Sequence, residues 1–250
     1  MILGVPFDPL GPAQAVDRLR AMLAGSAQSQ VATPNNEMLV EADRNEPFRS
    51  LLNRTSLNLA DSTGVLWASR WLERPLPARV TGVDTVTALC ATLDGSTPVF
   101  LLGGKEGIAW RAAAALRAAN PTLKIVGTRS GSPKDDDAPG IVAAVNASGA
   151  KLLLVAYGAP AQEFWIDKHL REMPSVRVAM GIGGTFDFLA GAKKRAPSWM
   201  RAVGLEWLYR FVQEPSRYKR MWRAVVVFPL LVLTRAGAPR GSRTTPPPRA

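Results

Sequence analysis

The chain is short of the side chains that build many active sites. Its 250 residues include one cysteine, Cys90, and one histidine, His169. A lone cysteine excludes an internal disulfide, and one Cys with one His cannot assemble a Cys/His zinc site within a single chain. A histidine-based triad is not expected either. Cys90 falls inside an apolar helical pattern and reads as a core residue. His169, near a helix end beside Lys168 and Arg171, reads as a surface residue. Long apolar runs are missing too. Ala224–Leu233, AVVVFPLLVL, is ten residues long with Pro229 inside it, whereas crossing a bilayer takes roughly 20. The start, MILGVPFDPLG, has no basic region followed by an apolar core, so no secretory signal is read and a cytoplasmic location is expected.

Acidic residues almost vanish near the C-terminus. Residues 1–192 carry 18 Lys/Arg against 18 Asp/Glu, whereas residues 193–250 carry 13 against 2. The formal net charge of +11 therefore resides in the last fifth of the chain, and the partner it implies meets that part. Three units are expected: an α/β body over 1–192, a basic helical appendage over 193–235, and a disordered Pro/Arg/Thr-rich tail over 236–250.

What is present is organised around Lys151–Trp165, KLLLVAYGAPAQEFW. Leu152–Ala156 is an unbroken apolar run, as in a strand buried on both faces of a parallel sheet. The run breaks at Gly158-Ala159-Pro160 and restarts as a helix, with Pro160 suited to its first turn. Such a junction presents free N–H groups and partial positive charge, a setting for phosphate. Gln162 and Glu163 lie in that first turn, within expected reach of a ligand. The plainer reading is a capped helix packed on a sheet.

The same alternation recurs from about residue 30 to 190, which argues for a parallel sheet covered on both faces. Strands are expected at Val31–Thr33, Ser56–Ala60, Pro98–Leu102, Leu123–Val126 and Val176–Ile182, besides the central one. Thr33-Pro34-Asn35-Asn36 caps the next helix, and Asp61 and Arg79 each precede a helix start. Capping would explain Thr33, Asn35 and Asp61, which also open on the crevice where such sheets bind ligands, while Arg79 by default reads as a surface arginine. Gly103-Gly104 and Gly183-Gly184 follow strands and let backbone approach a ligand. Gly103–Gly107 lacks the first glycine of a dinucleotide fingerprint. Asp135-Asp136-Asp137, set among Ser, Pro, Lys and Gly, reads as a solvated loop and not as a metal site. After Pro215, Arg217, Arg220 and Arg223 recur at three-residue spacing and are expected on one helix face, with Arg210 a segment earlier. With the apolar run after them, they suit a helix lying among lipid headgroups, the alternative being a basic helix docked on the body.

Taken in order, several short motifs resemble the WecG/TagA/CpsF glycosyltransferases. They are TPN at Thr33–Asn35, Asp61 after a strand, RVTGVD at Arg79–Asp84, LLGG at Leu101–Gly104, and GAPAQEFW at Gly158–Trp165. GIGGTFDFLAG at Gly181–Gly191, RAPSW at Arg195–Trp199 and EWLYRFVQEPSR at Glu206–Arg217 complete the series. The resemblance implies a Rossmann-like fold and a metal-independent, inverting transfer of a hexose. The donor would be a UDP-sugar of the N-acetylmannosamine type. The acceptor would be a sugar on a polyprenyl diphosphate at the inner membrane face, in cell-surface polymer synthesis. It further implies Asp61 as catalytic base, with Thr33, Asn35, Arg79 and Gln162 lining the site. With the turn residues Gly103, Gly104, Gly158, Gly183, Gly184 and Asp187 these would surround the nucleotide sugar. Arg210, Arg217 and Arg220 would meet the acceptor diphosphate, and no metal or cofactor is expected. The family usually reads Asp-Gly where this chain has Asp61-Ser62, so a β-carbon at that turn is expected to alter the acceptor's approach.

The chemistry asks for one carboxylate to accept the acceptor hydroxyl's proton, and an ordinary aspartate, with a pKa of about 3.9, is ionised at neutral pH. The departing diphosphate needs stabilising charge, which glycine turns, helix N-termini and arginines can supply. Two other readings fit the composition: a nucleotide-dependent α/β enzyme that uses its basic tail on nucleic acid, and a binding module without catalysis. Self-association through the apolar run at 224–233 is also open.

Overall fold

The computed structural model describes residues 1–236, apart from the side chains of Ala202, Arg217 and Ala236. The expectation of a disordered tail falls outside the described residues. Six strands are present: β1 (Ser29–Ala32), β2 (Leu57–Asn58), β3 (Val99–Gly103), β4 (Ile125–Arg129), β5 (Leu152–Ala156) and β6 (Val178–Gly181). Helices of the first half are α1 (Pro12–Ala24), α2 (Asn36–Arg44), α3 (Glu46–Arg54), α4 (Thr63–Trp71), α5 (Gly82–Thr92) and α6 (Ile108–Ala119). Those of the second half are α7 (Ala138–Ser148), α8 (Ala161–His169), α9 (Thr185–Leu189), α10 (Ser198–Ala202), α11 (Glu206–Gln213), α12 (Tyr218–Trp222) and α13 (Phe228–Ala236).

The strands form one sheet in the order β2-β1-β6-β5-β3-β4, and every pairing is parallel. All strands therefore end on the same edge, and the loops after them crowd together there. The fold is α/β and Rossmann-like, with helices on both faces. Period-two alternation divides the side chains between two layers. Val99 and Leu101 of β3 pack with α1, α5 and α6, whereas Phe100 and Leu102 pack with α7 and α8. The expected central strand, Leu152–Ala156, is β5, hydrogen-bonded to β3 on one side and β6 on the other. At the edge, β4 starts two residues later and ends three residues later than Leu123–Val126 suggested. With one neighbour only, it keeps half-exposed Thr128 and exposed Arg129 in the ladder. A break that the apolar pattern hid lies at Asn45, which ends α2 and whose side chain caps α3 by accepting from the Phe48 N–H.

Two expectations are corrected. His169 is buried, not at the surface: its ring packs 5.1 Å from that of Trp165, and Nδ1 lies 3.0 Å from Glu172 Oε1. The arginine-rich stretch is not one regular helix. A 3-10 turn (Pro215–Arg217) leads into α12, and a π-helical turn (Arg223–Val227) follows before α13. Arg220 pairs with Glu37, and Arg223 lies near enough to Glu41, one turn further along α2, to help lower its pKa.

The segment from α12 to α13 lies against α2 and α4. Phe228 and Val232 are buried among Met38, Leu39, Val65 and Ala68. Arg220 makes a two-pronged ion pair with Glu37 (2.8 and 2.9 Å), and Arg235 pairs with Asp43. Among the described residues, no helix is long and apolar enough to cross a membrane.

Candidate active site

Three loops at the strand ends are knitted together by backbone bonds. Asp61 N–H donates to the Pro34 carbonyl at 3.2 Å, and Val80 N–H to the Ala60 carbonyl at 2.8 Å. The helix starts beside them are capped as their sequences suggest. Asn35 accepts from Met38 N–H, Ser62 from Val65 N–H, and Thr81 from Asp84 N–H. Thr33 donates to the Gly181 carbonyl at 3.4 Å, and a β-carbon on Gly82 would meet the hydroxyls of Thr33 and Thr185. Thr33, Gly82 and Thr185 thus form one floor.

Asp61 lies over that floor, partly exposed yet with its carboxyl enclosed by protein. Burial raises its pKa to about 7, against the pull of Arg210, Arg79 and the Gly82 backbone N–H, with Glu206 adding to the rise. The expected value of an ordinary aspartate is therefore corrected, because at that position the carboxylate has lost most of its water. The surrounding charges come from both ends of the chain. Arg79 Nη1 is 3.2 Å from Glu206 Oε2, and Arg210 Nη2 is 3.6 Å from Glu206 Oε1. Arg195 reaches both Glu206 (4.0 Å) and Asp84 (2.5 Å). The guanidinium of Arg210 also lies 4.7 Å above the Phe188 ring. Around that ring a small hollow is bounded by Gly184, Lys193, Lys194, Gln213 and Glu214. Asp187 borders it through an ion pair with Lys193 (3.1 Å).

Asp61, Arg79 and Arg210 are thus brought into one cluster, and Gly184 and Asp187 adjoin it. Gln162 serves differently. It is buried, and its Oε1 accepts from the N–H groups of Gly158 and Gly183, both at 3.0 Å, clasping the loops after β5 and β6. Its Nε2 donates to the buried Glu163 at 2.7 Å, so neither side chain is free to reach a ligand as expected. Gly103 is required by close approach: its φ is +100°, and a β-carbon would lie 2.9 Å from the Ala156 backbone. Gly104 N–H donates to the Ala156 carbonyl at 3.1 Å. Arg220 is committed to Glu37, and the Arg217 side chain lies outside the described ones. Ser62 adopts ordinary extended backbone (φ −145°), so its β-carbon strains nothing. The constrained glycine of that loop is Gly64, where a β-carbon would sit 2.2 Å from the Asn36 amide.

The site's other half, Glu206, Arg195 and Asp84, went unnoticed in the sequence. A signal was present: residues 193–250 hold two acids, Glu206 and Glu214. Both turn out to anchor cations, Glu206 as above and Glu214 with Lys193 at 2.8 Å. Among the described residues, no three His, Cys, Asp or Glu side chains gather as a metal site would require. Asp135 is exposed and pairs with Lys168 at 2.6 Å.

The family model described as Glycosyl transferase WecG/TagA/CpsF family matches residues 1–241. The chain belongs to that family. It is accordingly a glycosyltransferase of the WecG/TagA/CpsF type, acting in cell-surface polymer synthesis, with a nucleotide-sugar donor and a lipid-linked acceptor in general. Membership spans body and C-terminal segment alike, in keeping with a cluster whose carboxylates and guanidiniums come from both.

On the outer side of that segment lies an apolar groove of about 620 Å³, lined by Trp207, Phe211, Tyr218, Met221, Trp222 and Val225, with Lys219 and Arg223 also on its wall. Trp207 and Phe211 stand on the same helix as Glu206 and Arg210. One face of α11 therefore serves the charged cluster and another the groove.

Proposed function

We propose that the protein is an inverting, metal-independent hexosyltransferase. It moves a sugar of the N-acetylmannosamine type from a UDP-sugar to a sugar carried on a polyprenyl diphosphate, at the inner face of the cell membrane. The observation that carries the reading is Asp61, held in the charged cluster with a pKa near 7. A carboxylate close to the operating pH accepts a proton in the transition state better than a strongly acidic one does, while remaining substantially ionised. Asp61 takes the proton of the acceptor hydroxyl as that oxygen attacks the anomeric carbon and the bond to UDP breaks on the opposite face. The negative charge gathering on the UDP diphosphate is met by Arg79 and Arg210 and by the amides of the glycine turns. The exposed aromatic groove and its basic wall suit a lipid surface, which would bring the acceptor diphosphate to α11.

The test is a donor screen. UDP-sugars are incubated with the protein and a short polyprenyl-diphosphate-GlcNAc analogue, without added metal and then with EDTA. Product mass and anomeric configuration are determined. Expected is one hexosamine added with inverted configuration and unchanged by EDTA. Retention of configuration, or strict dependence on a divalent ion, would overturn the mechanism.

A further inference from the structure

Three parts of the molecule meet at Asn36, the first residue of α2. Its Nδ2 donates to the Ala224 carbonyl, in the π-helical turn, at 2.8 Å. Its Oδ1 accepts from the Ser62 hydroxyl at 2.7 Å. Ser62 directly follows Asp61, and its Oγ accepts from the Val65 N–H at 3.2 Å, starting α4. The next residue, Glu37, takes the Arg220 guanidinium, and Gly64 is pressed against the Asn36 amide. A primary amide can donate to a carbonyl and accept from a hydroxyl at once, and a carboxylate of the same shape cannot.

We propose that Asn36 is a positioning residue that makes the placement of Asp61 depend on the seating of the C-terminal segment. With the segment seated, the Ala224 carbonyl fixes the amide, the amide fixes the Ser62 hydroxyl, and Ser62 holds the turn that carries Asp61. When the segment lifts, the amide is released and the turn loses its outer support. The base is thus placed for reaction only while the groove-bearing segment, the part suited to lipid, is docked. This rests on Asp61 being the base.

A double-mutant cycle tests the relay. Asn36→Asp keeps an acceptor for Ser62 but sets an acceptor against the Ala224 carbonyl. Ser62→Ala keeps the bond to Ala224 but breaks the bond to the loop. Turnover is read at pH 9, above any change in the ionisation of Asp61 caused by the added charge. Each variant is expected to lower kcat at least about tenfold with donor KM within about twofold, and the double variant to be no slower than the slower single one. Ser62→Thr, which retains the hydroxyl, is expected to restore most of the rate. Independently of activity, hydrogen exchange of the Asp61–Leu66 amides is expected to quicken in Asn36→Asp, although its bond to Ser62 is retained. Unchanged kcat in Asn36→Asp, multiplying losses in the double variant, or unaltered exchange at 61–66 would each overturn the relay. Asp61→Asn in the same assay keeps the two ideas apart. Full activity there removes the base assignment, while the exchange result still decides whether the loop and the segment are joined through Asn36.

Discussion

The strands of the body and the C-terminal segment treat their apolar side chains in opposite ways. In the body the apolar residues of the strands are enclosed, and the charges lie outside or in the crevice. In the segment Trp222 and Val212 remain 62 % and 72 % exposed, and Trp199 and Tyr218 are exposed as well. Among the described residues there, Phe228 and Val232 enter a core, with Val227 and Leu231 packed against it, and Ala196 is buried too. Contiguous exposed aromatics rimmed by cations mark an interaction surface. The segment thus has one side against the body and an exposed apolar side. Yet the charged cluster takes Asp61 and Arg79 from the body and Glu206 and Arg210 from the segment. A site divided in this way is complete only while the two are together.

The largest expected effect comes from the body's side of that division. Asp61→Asn is expected to lower kcat on the order of 10³-fold, within the range for loss of a general base, while UDP binding by calorimetry stays within about threefold. In the wild type, kcat should rise with pH through about 7 and then level, because the base must be ionised. Stability runs the other way. A folded pKa raised above the unfolded value contributes stability below the unfolded pKa, and this is lost as pH rises through about 7. Asp61→Asn should therefore melt higher than wild type at pH 8, by on the order of 2 kcal/mol, and no higher at pH 4. The next effect comes from the segment. Phe228 is fully buried, and truncating such a residue typically costs about 3–5 kcal/mol. Phe228→Ala should free residues 218–236 to exchange hydrogen, leave exchange in β3, β5 and β6 unchanged, and lower kcat at least about tenfold. If turnover survives an undocked segment, the divided site is wrong.

The contrast also explains what could be read from the sequence. The strands were legible because burial on both faces demands unbroken apolar runs, and Leu152–Ala156 emerges with its expected bounds. Asp61 stands where a strand run gives way to a helix start and Arg79 just before another helix start, which is why both could be picked out. Ion pairs between distant segments leave no such trace. Nothing periodic connects Glu206 to Arg79, Arg220 to Glu37 or Asn36 to Ala224, since only the docking of the C-terminal segment brings these positions together. His169, beside Lys168 and Arg171, looks exposed, and Gln162, in a helix's first turn, looks free for a ligand, until their helix is known to pack on the sheet. The arginine spacing suggests one regular helix, whereas the stretch winds in three ways.

A middle-sized effect should sharpen the segment's half of the contrast. Trp222→Glu replaces an exposed ring on the groove by a charge. Burial of one large apolar side chain stabilises by about 1.5–3 kcal/mol, so binding to anionic phosphatidylglycerol vesicles is expected to weaken at least about tenfold. The melting temperature should hardly change, because the ring has little protein to lose. A large fall in stability instead would mean that the groove is part of the folded core.

The smallest effect concerns the one place where the body buries a carboxyl without a cation. Glu163 accepts a hydrogen bond from Gln162 through Oε1, while Oε2 has no partner, and burial raises its pKa to about 7. The segment pairs its two acids with arginines and a lysine; the body leaves this one neutral, behind the clasp that Gln162 makes between Gly158 and Gly183. Because the folded pKa is again raised, the associated stability is present below the unfolded pKa and fades as pH climbs through about 7. Glu163→Gln keeps the shape and the acceptor and removes the titration. It should match wild type at pH 5 and exceed it at pH 8.5 by about 1 kcal/mol in denaturant melts, a figure set below the full shift because water and local rearrangement relieve part of the strain. A variant less stable than wild type at pH 8.5 would mean that the carboxylate is ionised and held there by a cation, making the body no different from the segment in how it treats buried charge.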